Sequence, residues 1–347
     1  MRSLSLLVVL AVAVTGCARF DDRLEDPFTP APGPGMAAAP PSTPPGAPPL
    51  SPTPPSSTPG SVDPETTPET GPCVDPDPAV IATCLDPAVA VAGLGQRALV
   101  AEATGGVKIV SVDAPPEDFG RVDPRRGRVA AIAPSPDFDQ DRLVYLLVVG
   151  DGPTRVERLA RGDAPRTVAE LAPSENGGLA FINKVLTVGV GSELLRFPGF
   201  RGIGRAENPV VVGRGLGQIH GLCTHGEDLY LSAVTDRGAV VRTADRVIWT
   251  WPDQRSAGGC AATGDSLALA LPDGERADTL PLAGGAARSQ PEELARGRYG
   301  RLTGLAVVGD GLLLAGTTNK RGGSPVSTDD RAVILPLPGG SGGDART

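Results

Sequence analysis

The two histidines of the chain flank a cysteine in a spacing that could bind a metal. His220, Cys223 and His225 form the pattern H-x2-C-x-H, and no other histidine occurs in the sequence. Imidazole nitrogen and thiolate sulfur are common zinc ligands. If this stretch is a strand, however, residues 223 and 225 share one face and residue 220 points to the other. The three side chains would then not converge, and the pattern favours ordinary histidines over a metal site.

Four cysteines follow residue 17, and they could form two disulfides. They are Cys73, Cys84, Cys223 and Cys260. An even number is typical of disulfides in an exported protein, and three pairings are possible. Cys73 and Cys84 are close in sequence, whereas Cys223 and Cys260 occupy nearly equivalent positions in consecutive sequence repeats. We therefore favour the bonds 73–84 and 223–260, of which the second would remove the thiolate that zinc needs at Cys223.

Four carboxylates near turns are candidates for acid–base or metal chemistry. Asp137, Glu175, Asp253 and Asp310 could act together if their turns meet at one mouth of the fold. The alternative is that each one forms a turn and stays solvated, which is the common role of acidic residues at such positions. The second interpretation is favoured for each of them.

Composition limits the classes of fold and partner. The 347 residues carry a formal charge of −8 with a pI near 5.0, and only 3% are aromatic. Nucleic-acid binding requires a basic surface, so we expect no nucleic-acid partner. The 46 glycines and 37 prolines interrupt the chain every few residues, which favours short strands and turns over long helices.

The first residues are typical of an exported lipoprotein. Arg2 precedes the apolar run Leu4–Val14, which is too short for a permanent membrane span. The segment 1–17 ends in V-T-G-C, which resembles a bacterial lipobox and predicts diacylglycerol on Cys17. An ordinary signal peptide with an incidental cysteine is the alternative. A lipobox predicts an anchor in the lipid of the cell membrane, on its outer face, because several acyl chains hold a protein durably.

Residues 18–72 are predicted to be a disordered tether. Seventeen prolines lie between Pro27 and Pro72, with small and polar residues between them. Such a segment cannot bury a core and stays extended. At ~3 Å per residue it could span on the order of 100 Å and hold the following domain away from the membrane.

A short sequence recurs about six times at a spacing of roughly 40 residues, which is typical of a β-propeller. The clearest copy is GLCTHGEDLYLS at Gly221–Ser232. The other copies are Gly93–Val110, Gly127–Val148, Gly178–Val190, Gly259–Ala270 and Gly304–Ala315. In each copy a run of small residues, a turn and an alternating strand predict a hairpin.

We therefore predict an all-β, six-bladed propeller over residues 73–338, followed by a flexible tail at 339–347. The run Arg331–Leu337 supplies one further strand. We expect it to share a blade with the segment after Cys84, because such a closure removes an open sheet edge.

Four stretches resemble the signatures of the glucose/sorbosone dehydrogenase family. They are Ala131–Tyr145, Asn176–Phe181, Gly215–Leu222 and Trp249–Pro252. The resemblance implies a six-bladed propeller that binds pyrroloquinoline quinone and calcium over its axis. It also implies oxidation of a sugar, with a histidine as the base.

Over nearly its whole length the chain also resembles the LppZ-type family of mycobacterial and other actinobacterial lipoproteins. The shared features are the stretch from Gly16 to Phe20, the proline-rich segment, the four later cysteines, Trp249–Asp253 and Gly259–Ala262. This second resemblance agrees with an acylated Cys17.

The chain departs from the dehydrogenase signatures at the residues that carry the chemistry. Ser135 stands at the place of the first signature's histidine, which the resemblance identifies as the base, and a hydroxyl cannot take a proton at neutral pH as imidazole does. The second signature's histidine and arginine correspond to Ser174 or Glu175 and to Gly178. The third signature's arginine and asparagine correspond to Gly217 and Gln218, so the charged clamp for an anionic quinone is missing.

Two functions of different class follow. The first is a degenerate, non-catalytic propeller that binds an envelope ligand or protein. The second is a quinone-dependent sugar dehydrogenase that uses another base, for which Glu175 is the candidate. A propeller hydrolase of the lactonase type is a third possibility and would need carboxylates around an axial calcium.

Overall fold

The computed structural model describes residues 73–202, 204–309 and 311–337, and it confirms the six-bladed propeller. Six antiparallel sheets surround one axis, and the first strand of each blade contacts the first strands of both neighbouring blades. The signal peptide, Cys17, the proline-rich segment, Asp310 and the tail predicted above lie outside the described residues.

The strands follow the chain order blade by blade. Blade 1 contains β2 (Ala88–Leu94), β3 (Arg97–Glu102), β4 (Gly106–Ser111) and β5 (Ala114–Arg121). Blade 2 contains β6 (Arg128–Pro134), β7 (Leu143–Val149), β8 (Thr154–Ala160) and β9 (Arg166–Leu171). Blade 3 contains β10 (Gly177–Ile182), β11 (Val185–Val190), β12 (Glu193–Phe197) and β13 (Val210–Gly213). Blade 4 contains β14 (Gln218–His225), β15 (Asp228–Thr235), β16 (Gly238–Arg242) and β17 (Val247–Trp251). Blade 5 contains β18 (Cys260–Ala262), β19 (Ser266–Leu271), β20 (Arg276–Ala283), β21 (Ala286–Ala287) and β22 (Glu292–Leu294). Blade 6 contains β23 (Leu302–Val308), β24 (Leu312–Thr317), β25 (Ala332–Pro336) and β1 (Val80–Ala82).

Helical structure in the described part of the chain is limited to short turns. The α-helix α1 (Phe138–Asp141) fills the expanded turn between β6 and β7, and 3-10 turns occupy Pro124–Arg126 and Pro272–Gly274. None of the helices in this part is long and apolar enough to cross a membrane.

The core lies between neighbouring blades. The second strand of blade 2, LVYLLVV, is buried over nearly all its length because both of its faces are covered. Tyr145 and Leu147 from this strand pack with Leu186 and Phe197 of blade 3, and all four are at most 1% exposed. Burial of such apolar side chains supplies most of the stabilisation that joins one blade to the next.

Glycines in the first strands allow those strands to approach one another near the axis. A Cβ atom at Gly178 would lie 2.5 Å from the backbone nitrogen of Leu222 in the next blade. A Cβ atom at Gly93 would lie 2.2 Å from the carbonyl oxygen of Val307, in blade 6. At Gly304, which begins another copy, a Cβ atom would lie 2.9 Å from the backbone nitrogen of Val91, so the glycine of the repeat marks sites where two backbones meet. In blade 1 the predicted copy starts near the end of the first strand, which runs from Ala88 to Leu94.

The ring closes through a different strand from the one we predicted. The partner of β25 is β1, with Val80 opposite Val333 and Ala82 opposite Ala332. This strand precedes Cys84, whereas our prediction placed the partner after it. Only the three residues 85–87 separate Cys84 from the first strand of blade 1, which leaves no room there for a closing strand.

Both predicted disulfides are confirmed. Cys73 is bonded to Cys84, and Cys223 is bonded to Cys260, with Cα–Cα distances of 5.6 Å in each case. The first bond encloses the closing strand β1 in its loop. The second joins the first strands of blades 4 and 5, as the equivalent positions in consecutive repeats predicted.

Candidate functional site

Two cavities lie along the propeller axis, one at each end of the first strands. The narrow mouth, where these strands begin, leads to a cavity of about 170 Å³, and the wide mouth, where they end, leads to one of about 750 Å³. An apolar girdle borders both cavities and takes one residue from each blade: Val91, Ile132, Leu179, Leu222, Cys260 and Leu305. The girdle residues separate the cavity at the narrow mouth from the cavity at the wide mouth.

The narrow mouth contains a half-buried arginine that contacts only neutral acceptors. Arg128 is the first residue of β6, and its Nη2 donates to Asn176 Oδ1 at 2.8 Å and to the backbone carbonyl of Glu175. Among the described residues, no carboxylate oxygen lies within 4.0 Å of its guanidinium. Burial lowers the pKa of Arg128, and the nearby charge of Arg321 lowers it further. Arg128 is thus a cation at the cavity wall, and the described contacts use only the hydrogens of its Nη2.

His220 lines the same cavity. Its Nε2 atom is buried and has no hydrogen-bond partner in the part of the chain that the structure describes. Burial lowers the pKa of His220 to about 4, and the positive charge of Arg128 contributes to this shift. The imidazole is therefore neutral at physiological pH, and its buried Nε2 atom is left without a partner among the described residues.

The structure does not gather the H-x2-C-x-H pattern into a site. His225 is exposed at the opposite end of β14 and lies beside Gly264, while Cys223 is in the disulfide with Cys260. Five residues of strand separate His220 from His225, which corresponds to about 16 Å. The two histidines thus belong to different mouths.

Glu175 lies at the narrow mouth, but its carboxylate is exposed and only its backbone carbonyl contacts Arg128. The adjacent Ser174 holds this loop, because its Oγ donates to the carbonyl of Asn176 at 2.6 Å and accepts from the backbone of Gly191 at 3.1 Å. Gly217 and Gln218 stand at the start of β14, at the same end of the axis. The second and third family signatures therefore meet at the narrow mouth.

Ser135 lies at the wide mouth, at the other end of the axis from Glu175. Its side chain is buried, with Oγ donating to Asp141 Oδ2 at 2.6 Å and accepting from the backbone nitrogen of Asp137 at 3.2 Å. Asp137 in turn forms an ion pair with Lys184 at 2.6 Å. The structure therefore does not bring the first signature together with the second and third, and the Ser135 hydroxyl serves the turn at α1.

The remaining candidate carboxylate has a local partner. Asp253 accepts a hydrogen bond from Gln254 at 2.9 Å, which lowers its pKa, and lies 3.9 Å from Arg276. Nearby, Trp251 Nε1 donates to Asp278 at 2.7 Å inside the core. Within residues 73–202, 204–309 and 311–337, no three His, Cys, Asp or Glu side chains cluster as metal ligands.

Sequence reasoning missed Arg128 and treated His220 as an ordinary histidine. The available signal was a charged residue at the start of an otherwise apolar strand, RVAAIAP. What the sequence did not show is that two residues 92 positions apart border one cavity. Together they place a cation and a neutral imidazole at one cavity, with the charges of Arg321 and Glu175 close enough to act on Arg128, and a charged donor of this kind suits an anionic ligand.

Comparison with known proteins gives similarity of structure only. No protein-family model matches the chain, and no curated protein matches it. The PQQ-bound aldose sugar dehydrogenase of Streptomyces coelicolor is 23% identical over 74% of this chain and 96% of that one, with a TM-score of 0.63. A putative oxidoreductase (glucose dehydrogenase) of Thermus thermophilus is 22% identical over 74% and 98%, with a TM-score of 0.61. The apo-form of the soluble aldose sugar dehydrogenase of Escherichia coli is 18% identical over 74% and 97%, with a TM-score of 0.57. These similarities show the fold alone.

The residues at the narrow mouth do not fit pyrroloquinoline quinone and calcium in the way that the resemblance implies. Gly217 and Gln218 supply no charge at the place where the resemblance implies an arginine, and the cation of this mouth, Arg128, stands on a different blade. The cavity of about 170 Å³ is smaller than the roughly 300–1,000 Å³ of pockets that enclose drug-sized ligands. In the part of the chain that the structure describes, the carboxylate that acts on Arg128 is that of Glu175, and it is exposed. We therefore derive no reaction step through this cofactor.

Proposed function

We propose that this protein is an exported lipoprotein whose propeller binds an envelope ligand at the narrow mouth and has lost dehydrogenase chemistry. The observation that supports it best is that the residues at this mouth differ from those that the dehydrogenase signatures place there. Arg128 and a neutral His220 border the cavity, while the positions of the family's histidine, arginine and asparagine hold Ser174 or Glu175, Gly178 and Gln218.

The side chains at the mouth are arranged for binding more than for proton transfer. A general base needs a pKa near the working pH and a position next to the reacting hydroxyl. His220, with a pKa of about 4, is a weak base at neutral pH. The Ser135 hydroxyl lies at the other mouth, where Asp141 and Asp137 use it. Arg128, by contrast, keeps a positive charge and free donors at the cavity wall.

The membrane anchor is a separate part of the proposal and rests on the sequence alone. The V-T-G-C motif at Cys17 and the proline-rich segment up to residue 72 support a lipid-anchored domain held on the outer face of the cell membrane. The partners under this proposal are membrane lipid through the acylated Cys17 and an envelope ligand or protein at the propeller.

A titration with the implied cofactor tests the binding function. The full chain in detergent is mixed with pyrroloquinoline quinone and calcium, and the quinone absorption is followed. We expect no saturable spectral change. Saturable quinone binding accompanied by reduction of a dye on addition of a sugar would contradict the proposal.

Cell fractionation tests the anchor. We expect the wild-type chain in the membrane fraction with an acylated N-terminus, and we expect a Cys17→Ala variant to be unacylated and released. A Cys73→Ala variant serves as a control, because its cysteine lies beyond the tether. Acylation and membrane retention of the Cys17→Ala variant would disprove the lipobox assignment.

The second candidate is a quinone-dependent sugar dehydrogenase. The fold that this chain shares with sugar dehydrogenases, at a TM-score of 0.63 for the S. coelicolor protein, is the observation in its favour. It would require another base, and Glu175 is the carboxylate available at the narrow mouth. Sugar-dependent electron transfer that is lost in Glu175→Gln distinguishes it from the binding function.

A further inference from the structure

We infer that the narrow mouth binds a small monocarboxylate, with its carboxylate against Arg128 and His220 and its short apolar tail towards the girdle. This inference rests on the proposed binding function at the same mouth and names the chemical class of the ligand. It follows from the donors, the apolar wall and the size of one cavity.

Arg128 provides the charge. Its guanidinium carries five N–H donors, of which the described contacts use Nη2, towards Asn176 Oδ1 and the Glu175 carbonyl. Both of these acceptors are neutral, and among the described residues Arg128 forms no ion pair within 4.0 Å; the exposed carboxylate of Glu175 acts on its charge only from a longer distance. Removing an arginine from water is costly unless an anion accompanies it. Because both hydrogens of Nη2 are donated to these acceptors, a ligand carboxylate would accept a charge-assisted hydrogen bond from Nη1.

His220 provides the second contact. The imidazole lines the cavity, but its Nε2 atom is buried and lacks a hydrogen-bond partner among the described residues, so a rotation of the ring would present an unpaired nitrogen to a ligand. A carboxylate oxygen beside His220 would accept a hydrogen bond from the imidazole. It would also favour the protonated form, because a nearby negative charge stabilises the imidazolium.

The rest of the cavity limits the size and character of the ligand. Its volume is about 170 Å³, and below the two polar groups its wall is formed by apolar side chains, namely Val89, Ile132, Leu179, Leu222 and Leu305. A branched or straight chain of a few carbons can fill such a space. A sugar, or a ligand with a second charged group, would lose its bound water there without gaining hydrogen-bond partners. We therefore expect butyrate to bind more tightly than inorganic phosphate or a dicarboxylate.

The two histidines allow a test without any substitution. They are the only histidines in the sequence, and they lie at opposite ends of β14. In the full chain labelled at histidine, we expect butyrate to shift the imidazole resonances of His220 in a saturable way and to leave those of His225 unchanged. Butyramide has the same shape without the charge and should cause no shift. Unchanged His220 resonances, or equal effects of butyrate and butyramide, would overturn the inference.

A pair of matched variants identifies the cation. We expect Arg128→Gln to weaken butyrate binding at least tenfold in calorimetry. Lys184→Gln also removes one positive charge, but at the wide mouth, where Lys184 pairs with Asp137, and should bind butyrate as the wild type does. Equal affinity of wild type and Arg128→Gln would contradict the assignment. If Arg128→Gln does not fold, the resonances of His220 in the wild-type chain decide the question.

Failure of this inference differs from failure of the proposed function. Quinone binding together with sugar-dependent dye reduction would contradict the proposed function, whether or not butyrate binds. If the chain binds neither butyrate nor the quinone, the monocarboxylate inference is contradicted and the proposed function is not.

Discussion

Ser135 Oγ donates a hydrogen bond of 2.6 Å to Asp141 Oδ2. Ser135 precedes the helix α1, and Asp141 is the last residue of that helix. The same hydroxyl accepts from the backbone nitrogen of Asp137. Both hydrogen-bonding capacities of Ser135 are therefore used inside one turn at the wide mouth. This position is structural in the present chain, although the resemblance to the dehydrogenase signature implies a catalytic base there.

We expect Ser135→Ala to destabilise the fold without affecting the narrow mouth. Loss of a buried hydroxyl that satisfies two partners costs about 1–2 kcal/mol. Chemical denaturation measures this change, and Ser289→Ala, at an exposed site, is the control. Butyrate binding should be the same in Ser135→Ala as in the wild type. A Ser135→Ala variant with unchanged stability and altered ligand binding would contradict the structural role.

The Cys73–Cys84 disulfide encloses the strand that closes the ring, so its removal should loosen blade 6. For a closed loop of this length, loss of the bond costs about 3 kcal/mol in the chain-entropy description. We expect the double variant Cys73→Ser/Cys84→Ser to unfold at lower denaturant concentration and to lose hydrogen-exchange protection in β25.

Removal of the Cys223–Cys260 bond is the matched comparison, because that bond joins blades 4 and 5 and does not include β1. Its loss should lower stability as well, but protection in β25 should fall less than in the first variant. Equal protection of β25 in the wild type and in Cys73→Ser/Cys84→Ser would show that the first disulfide does not secure the closure.

His220 should make the fold less stable in mild acid. Its pKa is lowered from 6.5 to about 4 in the folded chain, so the unfolded chain binds the proton first as pH falls. Above pH 6.5 this histidine is neutral in both states and costs no stability; as the pH falls towards 4 only the unfolded chain is protonated, and the fold loses about 3 kcal/mol.

Denaturation of the wild type and His220→Asn at several pH values checks this expectation. Between pH 7 and pH 4 the wild type should lose that amount of unfolding free energy relative to His220→Asn, whatever the difference between the two chains at pH 7. Asp330 acts in the opposite direction, since burial raises its pKa to about 6, and it is present in both chains and cancels in the comparison. A constant difference across this range would contradict the low pKa of His220.

The sequence predicted the propeller because its repeat has a physical cause. Each copy contains small residues where first strands approach, as at Gly178, and a turn that forms a hairpin, as at Gly226, where φ is +58°. The cysteine pairing was also predictable, because equivalent positions in consecutive repeats lie side by side. These features depend only on the local sequence and on the spacing between the sequence repeats.

The site was less predictable because it depends on which end of each strand a residue occupies. Ser135 follows β6 and Glu175 precedes β10, so the two signature positions lie at opposite mouths although only 40 residues separate them. The partner of β25 was sought on the correct side of the domain but after Cys84, because the sequence did not show that the first blade begins as early as Ala88. Arg128 and His220 acquire their role only when six strands surround one axis.

Electron transfer from sugar tests most directly whether the propeller has lost its chemistry. The full chain, supplied with pyrroloquinoline quinone, calcium and glucose, is assayed for reduction of an artificial dye beside a Glu175→Gln variant and a blank without protein. We expect both chains to match the blank. Dye reduction by the wild type that depends on glucose and disappears in Glu175→Gln would contradict the degenerate, ligand-binding function.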